Sequence, residues 1–236
     1  MLTSHEPPAM RPVSSTPERV DVPLQQPDTA SGLLGPYAVP YDRLLGRWCV
    51  VASTLPLWKN KRDVTISYST IAGAPQTTLD DLVEFRREGA KPGSAKWSVK
   101  GIDTLETDVE GNGARWKWRG KGWLRISSSH WQLLGFSLSP LLDAHPAAAA
   151  STIPLGPAPT PSPDWVVTYF SSTLFTPAGL DVYARDPRGV DERKVAELVA
   201  QLEALGGEVG RLVKGGKMFR IPQEEDGTEG GAPTRS

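Results

Sequence analysis

Hydrophobic and polar residues alternate through most of the chain between residues 46 and 185. In the stretch RDVTISYST, the side chains of Val64, Ile66 and Tyr68 fall on one face of an extended chain. The same alternation returns in LDDLVEFRR, ARWKWRG, WLRISS, HWQLLGF, DWVVTYFSS and GLDVYAR, with Gly, Asn, Asp or Pro between the segments. Because no helical pattern separates them, the sequence predicts an antiparallel all-β fold, either a sandwich or a barrel.

The strand register is ambiguous in residues 96–122, KWSVKGIDTLETDVEGNGARWKWRGKG. This segment is compatible with one long bulged strand or with two strands joined at its Asn-Gly pair, which is a hairpin-turn signal. The strand count favours one long strand, with WLRISS and HWQLLGF as the next two strands.

One amphipathic helix is predicted near the C-terminus, in DERKVAELVAQLEALGG. Asp191 is its expected N-cap, and Gly206 and Gly207 end it. Its apolar stripe must pack against an apolar surface, which we expect to be the outside of the sheet. The stripe consists of Val195, Leu198, Val199, Leu202 and Leu205. A short final strand is expected in GRLVKGGKMFRIP.

Three segments are predicted to be unfolded because their apolar residues are too few to offset chain entropy. They are residues 1–40, the Pro/Ala-rich insertion 139–163, and residues 224–236. The folded domain is therefore expected to span residues 41–223.

Composition narrows the classes of function. The net charge of −1 argues against nucleic acid as the main partner. The single cysteine, Cys49, cannot form an internal disulfide, and no signal-peptide pattern or bilayer-length apolar run is present, so we expect a cytoplasmic protein without a membrane span. His5, His130 and His145 lack neighbours at metal-ligand spacing, so no metal or other cofactor is expected.

Gly46 and Trp48 stand at the head of the first long apolar strand, and Arg185 stands at the end of GLDVYAR, just before the helix. This combination, with about eight short strands, resembles the lipocalin (calycin) family over residues 42–222. The likeness is nearest to bacterial and apolipoprotein-D-like outlier lipocalins, and WRGKGWL and TLFTPAGLDVYAR are similar to runs in fungal lipocalin-like proteins. Asp164-Trp165 stands where the family has Thr-Asp-Tyr, so this second motif is degenerate.

The resemblance implies an eight-stranded antiparallel up-and-down barrel with the helix packed outside. In the family, the tryptophan of Gly-x-Trp plugs the closed end of the barrel and the late arginine packs over its ring. The connection 55–61 then lies at the open mouth, where Trp58 either caps a ligand or covers the barrel edge. Connections 87–95, 127–130 and 173–179 are also placed at the mouth, and the Pro/Ala insertion at the closed end.

A barrel interior rich in aromatic side chains suits a flat or elongated apolar ligand with one or two polar handles. The alternative is that the rings simply fill the barrel. His130, at the proposed mouth, either titrates near a ligand or is an ordinary surface residue. The adjacent Asp80 and Asp81 must point to opposite faces of a strand and so cannot act as a pair. The candidate ligand-binding residues are Trp58, Tyr68, Trp97, Trp116, Trp118, His130, Trp131 and Tyr169.

The sequence contains no Gly-x-Ser-x-Gly and no glycine-rich phosphate loop. We therefore expect a monomeric carrier or sequestering protein for a small hydrophobic molecule, as the resemblance implies. An alternative is a cyclase or isomerase acting on a hydrophobic secondary metabolite, because such catalysis needs orientation more than a motif. A third hypothesis is an interaction protein acting through its proline-rich tails.

Overall fold

The structure is a computed structural model. It describes residues 18–29, 32–35, 38–91, 93–106, 114–122, 128–140, 163–174 and 176–224. The strands are β1 (Val20–Val22), β2 (Gly46–Ser53), β3 (Lys61–Thr70), β4 (Thr78–Arg87), β5 (Trp97–Leu105), β6 (Arg115–Gly120), β7 (Ser128–Leu138), β8 (Trp165–Phe170), β9 (Gly179–Ala184) and β10 (Phe219–Arg220). The α-helices are α1 (Tyr41–Leu44), α2 (Glu192–Leu205) and α3 (Gly207–Val213). One-turn 3₁₀ helices lie at Gly32–Leu34 and Pro56–Trp58.

Strands β2 to β9 form a closed barrel. The order in the sheet is β7-β6-β5-β4-β3-β2-β9-β8, every neighbouring pair is antiparallel, and β7 also pairs with β8 to close the ring. The predicted fold class, an eight-stranded antiparallel barrel with a C-terminal helix, is confirmed. Alternation along each strand sends one set of side chains into the barrel and the other set outward.

The preferred register for residues 96–122 is wrong. β5 and β6 are two separate strands that pair from Gly101 opposite Gly120 to Leu105 opposite Trp116. Residues 107–113, which contain the Asn-Gly pair, lie outside the described part of the chain. HWQLLGF lies within strand β7, which begins at Ser128 and pairs directly with β6. Residues 123–127, which hold most of the strand predicted in WLRISS, lie outside the described part of the chain.

Part of the segment 1–40, predicted to be an unfolded tail, belongs to the fold. β6 stops pairing with β7 at Gln132, and β1 takes the place beside β7 from Phe136 to Leu138. β1 and the described residues that follow it bury four apolar side chains, so this segment gains enough contact to be fixed. These side chains are Val22, Leu24, Leu34 and Val39.

The predicted helix is α2, and its N-cap is Asp191, whose carboxylate accepts a hydrogen bond from the Lys194 backbone N–H at 2.8 Å. The buried stripe of α2 packs on the outward side chains of β2, β8 and β9, in a core separate from the barrel interior. Gly206, at φ +65°, ends α2, because that left-handed conformation favours glycine. α3 was not predicted, whereas the short final strand is β10, paired with β2.

The closed end of the barrel is plugged by Trp48, which is 1% exposed and donates its indole N–H to the Leu44 carbonyl at 2.8 Å. The Arg185 guanidinium lies 3.7 Å from the centroid of the Trp48 ring. Its nitrogens donate to the carbonyl oxygens of Arg43, Leu45 and Arg47 at 2.6–2.8 Å. This arrangement ties α1 and the start of β2 to the end of β9.

Candidate functional site: the barrel cavity

The mouth half of the barrel contains a cavity of about 810 Å³. Trp48 and its neighbours fill the opposite end, whereas residues of the connections between β2 and β3 and between β8 and β9, and the start of β7, line the cavity. Its wall is mostly aromatic and aliphatic, with a few polar side chains. The wall includes Leu55, Trp58, Ile66, Tyr68, Asp81, Val83, Phe85, Val99, Trp118, His130, Trp131 and Phe170.

A column of aromatic rings forms the floor of the cavity. Tyr41 packs edge-on against Trp116, with ring centroids 5.7 Å apart. Trp116 stacks on Trp131 at 5.6 Å, and Trp131 stacks on Tyr68 at 5.8 Å. Trp131 and Tyr68 are the members that reach the cavity. Flat stacked rings of this kind present a rigid apolar surface to whatever occupies the space above them.

Three aspartates point into the barrel, and each carboxyl accepts a hydrogen bond from an indole N–H. The Trp118 indole donates to Asp81 Oδ2 at 2.8 Å. The corresponding bonds are Trp131 to Asp103 Oδ1 at 2.8 Å and Trp58 to Asp181 Oδ2 at 3.0 Å. These pairs place a polar layer inside an otherwise apolar barrel.

The second oxygens of the three carboxyls differ. Asp181 Oδ1 accepts a hydrogen bond from the Ser53 hydroxyl at 2.5 Å, so both of its oxygens have partners. Asp81 Oδ1 and Asp103 Oδ2 are buried and have no hydrogen-bond partner among the described residues. The same holds, within that part of the chain, for the buried indole nitrogen of Trp116. A buried polar group without a partner costs about 1–3 kcal/mol, so this cluster is held at the expense of stability.

Burial controls the charge of these carboxyls. Loss of hydration raises the pKa of Asp81 to about 7, against the lowering effect of the Trp118 hydrogen bond. Burial also raises the pKa of Asp181 to about 7 and that of Asp103 well above its usual range. Near neutral pH the layer therefore contains carboxyl groups that can donate as well as accept a hydrogen bond.

The indole of Trp118 depends on a glycine in the neighbouring strand. A Cβ atom at Gly101 would lie 2.1 Å from Trp118 Nε1, so only glycine lets the ring cross β5 and reach Asp81. Gly101 is thus part of the site, although it offers no side chain of its own.

The mouth combines apolar and cationic side chains. Trp58 packs edge-on against Phe85 with ring centroids 6.3 Å apart, and the Lys61 ammonium lies 5.0 Å from the Phe85 centroid. Lys61 donates to the Leu57 carbonyl, while His130 Nε2 lies 3.3 Å from Glu106 Oε1. The side chains of Lys61 and His130 are therefore engaged with rim groups.

Five of the eight candidate ligand-binding residues line the cavity: Trp58, Tyr68, Trp118, His130 and Trp131. Trp58 is 7% exposed, not half-exposed as its place in a rim loop suggested, because its indole reaches inward to Asp181.

The other three candidates lie elsewhere. Trp97 is 59% exposed at the start of β5, with the Arg87 guanidinium 5.4 Å from its ring. Trp116 is fully buried in the floor beneath Trp131. Tyr169 points outward to the core under α2 and donates to Glu208 at 2.9 Å.

Sequence reasoning missed the three inward aspartates. The expected opposite orientation of Asp80 and Asp81 is observed, since Lys121 Nζ contacts Asp80 at 2.5 Å on the outside while Asp81 faces the interior. The signal that could have found them was the alternation itself. Asp81 shares its face of β4 with Leu79 and Val83, and an acid in that register must enter the core.

Groups of acidic, histidine or cysteine side chains that could hold a metal ion do not occur among the described residues. No described helix is long and apolar enough to cross a membrane.

No protein-family model and no curated protein matches the sequence. Among solved structures, the chain is similar to insecticyanin from the tobacco hornworm Manduca sexta, with a TM-score of 0.53 and 11% identity over 88% of this chain and 91% of that one. Apocrustacyanin C2 gives 0.51 and 9% over 87% and 91%, and lobster apocrustacyanin A1 gives 0.50 and 10% over 86% and 92%. These proteins are lipocalins, and the chain has the lipocalin fold.

Proposed function

We propose that this chain, a lipocalin-fold barrel, binds a small hydrophobic molecule in its cavity and acts as a carrier or sequestering protein. The observation that supports this most directly is the cavity of about 810 Å³ walled by aromatic and aliphatic side chains. Ligand sites in proteins are typically concave spaces of roughly 300–1,000 Å³ with mostly apolar walls and a few fixed polar groups. The polar groups here are Asp81, Tyr68 and the rim residues.

The test uses a neutral apolar fluorophore, N-pentyl dansylamide. On binding we expect a blue shift of dansyl emission and energy transfer from the cavity tryptophans Trp118 and Trp131. Val83→Trp places an indole in the cavity from β4 and is expected to abolish both signals. The matched control is Leu82→Trp, which adds the same indole to the same strand at a position that alternation turns outward.

Both variants are first checked for native circular dichroism and cooperative unfolding. Dye binding by Val83→Trp at wild-type affinity, in a folded sample, would place the dye outside the cavity and contradict the proposal. Loss of binding in both variants would show that the signal depends on the strand and not on the cavity volume.

One observation favours the alternative, a cyclase or isomerase. Asp81 is a carboxyl with a pKa raised by burial to about 7 at the wall of an apolar cavity, and such a group can give and take a proton near neutral pH. The two functions are separated by the fate of a ligand that co-purifies or binds. A carrier releases it chemically unchanged after prolonged incubation, whereas an enzyme releases an isomer, and Asp81→Asn would stop that conversion.

A further inference from the structure

The carboxyl of Asp81 is a buried polar group of the cavity wall whose hydrogen bonding is incomplete. The residue is 5% exposed and lines the cavity, its Oδ2 accepts from the Trp118 indole, and its Oδ1 has no hydrogen-bond partner among the described residues. Asp103, on the adjacent strand, is fully buried with Oδ2 in the same condition. Neither residue takes part in an ion pair within the described part of the chain.

The basic side chains nearest the cavity, Lys61 and His130, do not reach the layer of buried carboxyls. Lys61 donates to the Leu57 carbonyl at the rim, and the His130 ring lies against Glu106. The described interior thus combines three carboxyls with no basic side chain among the residues of the interior core. A charged group buried without a counter-ion is costly, so an incoming cation would gain strongly from this site.

The walls around Asp81 also suit a cation. The rings of Tyr68 and Trp118 border the same space, together with Trp131, whose faces are stacked on Trp116 and Tyr68. A cation over the face of an aromatic ring is attracted by the ring quadrupole, most strongly where water is excluded. A neutral hydroxyl or carbonyl could satisfy one hydrogen bond of Asp81, but it would use neither the carboxylate charge nor the ring faces.

We infer that the cavity selects an apolar molecule bearing one protonated amine, whose ammonium pairs with the Asp81 carboxylate against the rings of Trp118 and Tyr68. This inference rests on the proposed function, because it names the chemical class of the ligand bound in the same cavity. The apolar body of the ligand occupies the space between Asp81 and the mouth.

The pairing predicts a pH signature. The groups around Asp81 are Asp80 behind it on β4, Tyr68 on β3, Asp103 on β5, Asp181 and Tyr183 on β9, and Lys61 and His130 at the mouth. With a pKa of about 7, Asp81 must lose its remaining proton as the ammonium binds. Affinity for the amine therefore rises between pH 6 and pH 8 and protons are released on binding, whereas affinity for a neutral analogue stays flat over this range.

The experiment compares dansylcadaverine, which carries a terminal ammonium, with N-pentyl dansylamide, its neutral counterpart of nearly equal size. Binding is measured by dansyl fluorescence, and proton release by calorimetry in buffers of different ionisation enthalpy. The variant is Asp81→Asn, whose amide oxygen still accepts the Trp118 bond. The control is Asp80→Asn, which removes the same charge one residue away on the outer face, where Asp80 contacts Lys121.

We expect wild type and Asp80→Asn to bind the amine on the order of ten- to a hundredfold more tightly than Asp81→Asn does, the range of a charge-assisted hydrogen bond. The neutral dye should bind wild type and Asp80→Asn alike, and Asp81→Asn should weaken it far less than it weakens the amine. Equal binding of both dyes by wild type, with no effect of Asp81→Asn and no proton release, would overturn the inference and leave the proposed function standing. Failure of both dyes to bind a folded wild-type protein would contradict the proposed function as well.

Discussion

The closed end and the cavity of this barrel both bury tryptophan beside a charged group, but they treat polarity in opposite ways. At the closed end, three carbonyl oxygens accept from the Arg185 guanidinium, and the Trp48 indole has its own carbonyl partner. In the cavity, Asp81 and Asp103 each keep one buried oxygen that has no hydrogen-bond partner among the described residues.

The closed end therefore contributes to the stability of the fold, whereas the carboxyl layer of the cavity lowers it. Satisfied buried polar groups stabilise a fold modestly, whereas unsatisfied ones subtract from it. Local departures from the rules of packing concentrate where a protein binds or reacts. The contrast therefore points to the cavity layer as the functional part and to the Trp48 plug as the structural part.

The largest expected effect is on the pH dependence of stability. The pKa values of Asp81 and Asp181 are about 7 in the folded protein because of burial, against an ordinary value of 3.8. Between these values the folded protein holds more protons than the unfolded chain, so the free energy of unfolding falls as pH rises from about 4 to about 7. The expected loss between pH 5 and pH 8 is about 2–3 kcal/mol per group, measured by urea unfolding at these two pH values.

Variants sharpen this prediction. Asp81→Asn removes one titrating group and should flatten the pH profile, whereas Arg185→Ala at the closed end should lower stability without changing the profile's slope. A free energy of unfolding that rises from pH 5 to pH 8 would show that the inward carboxyls remain ionised in the folded state.

The next effect concerns the closed end alone. Arg185→Ala removes the guanidinium from the Trp48 ring and leaves carbonyl oxygens such as those of Arg43 and Leu45 without their donor. We expect a loss of about 1–3 kcal/mol in the free energy of unfolding, with dye affinity unchanged. The matched control is Arg188→Ala, an exposed arginine whose side chain donates to Asp186. An equal effect of the two changes would contradict a special role for Arg185.

A smaller effect is expected at the mouth, where the Trp58 indole donates to Asp181. Trp58→Phe keeps a ring near Phe85 but removes the indole bond to Asp181 Oδ2. We expect a loss of about 1 kcal/mol in stability, larger at pH 8 than at pH 5, because the lost donor mainly stabilised the ionised carboxylate. Chemical unfolding at both pH values checks this, and identical losses at the two would show that the bond does not depend on the charge of Asp181.

The smallest effect is expected at Trp97. Its ring is mostly exposed and packs beside Arg87, so Trp97→Ala should change stability by less than about 0.5 kcal/mol and leave dye affinity at the wild-type value. A clear loss of affinity would place Trp97 against the ligand, as the sequence suggested, and would extend the functional region to the outer rim.

Much of the fold could be predicted because period-two alternation and the Gly46–Trp48 pair are local signals. The division between β5 and β6 could not, because their boundary depends on pairing between residues far apart in the chain, such as Gly101 and Gly120. The strand β1 escaped prediction for the same reason. β1 pairs with β7 only beyond the last β7 residue that pairs with β6, and a local sequence pattern does not show where that pairing ends.

The candidate site was predictable in its aromatic part only. Alternation predicts which aromatic residues face inward, and Tyr68, Trp118 and Trp131 follow it. Trp116 also faces inward, but the sequence does not show how deep along the barrel axis it lies. The interior aspartates were overlooked because an isolated acidic residue in a strand is usually solvated, and only the closed barrel forces Asp81 and Asp103 inside.

The two ends of the insertion after β7, at Ser139 and Asp164, are held together by hydrogen bonds that do not involve the cavity. The chain leaves the barrel at Ser139, whose backbone N–H and hydroxyl both donate to Asp164 Oδ1, and Arg19 donates to Ser139, to Asp164 and to the Pro163 carbonyl. This clamp sits at the end opposite the mouth and fixes the two ends of the connection whatever lies between them. Residues 141–162 are therefore a natural graft point, where an epitope, a fluorescent protein or a surface tether could be spliced in while the mouth stays free.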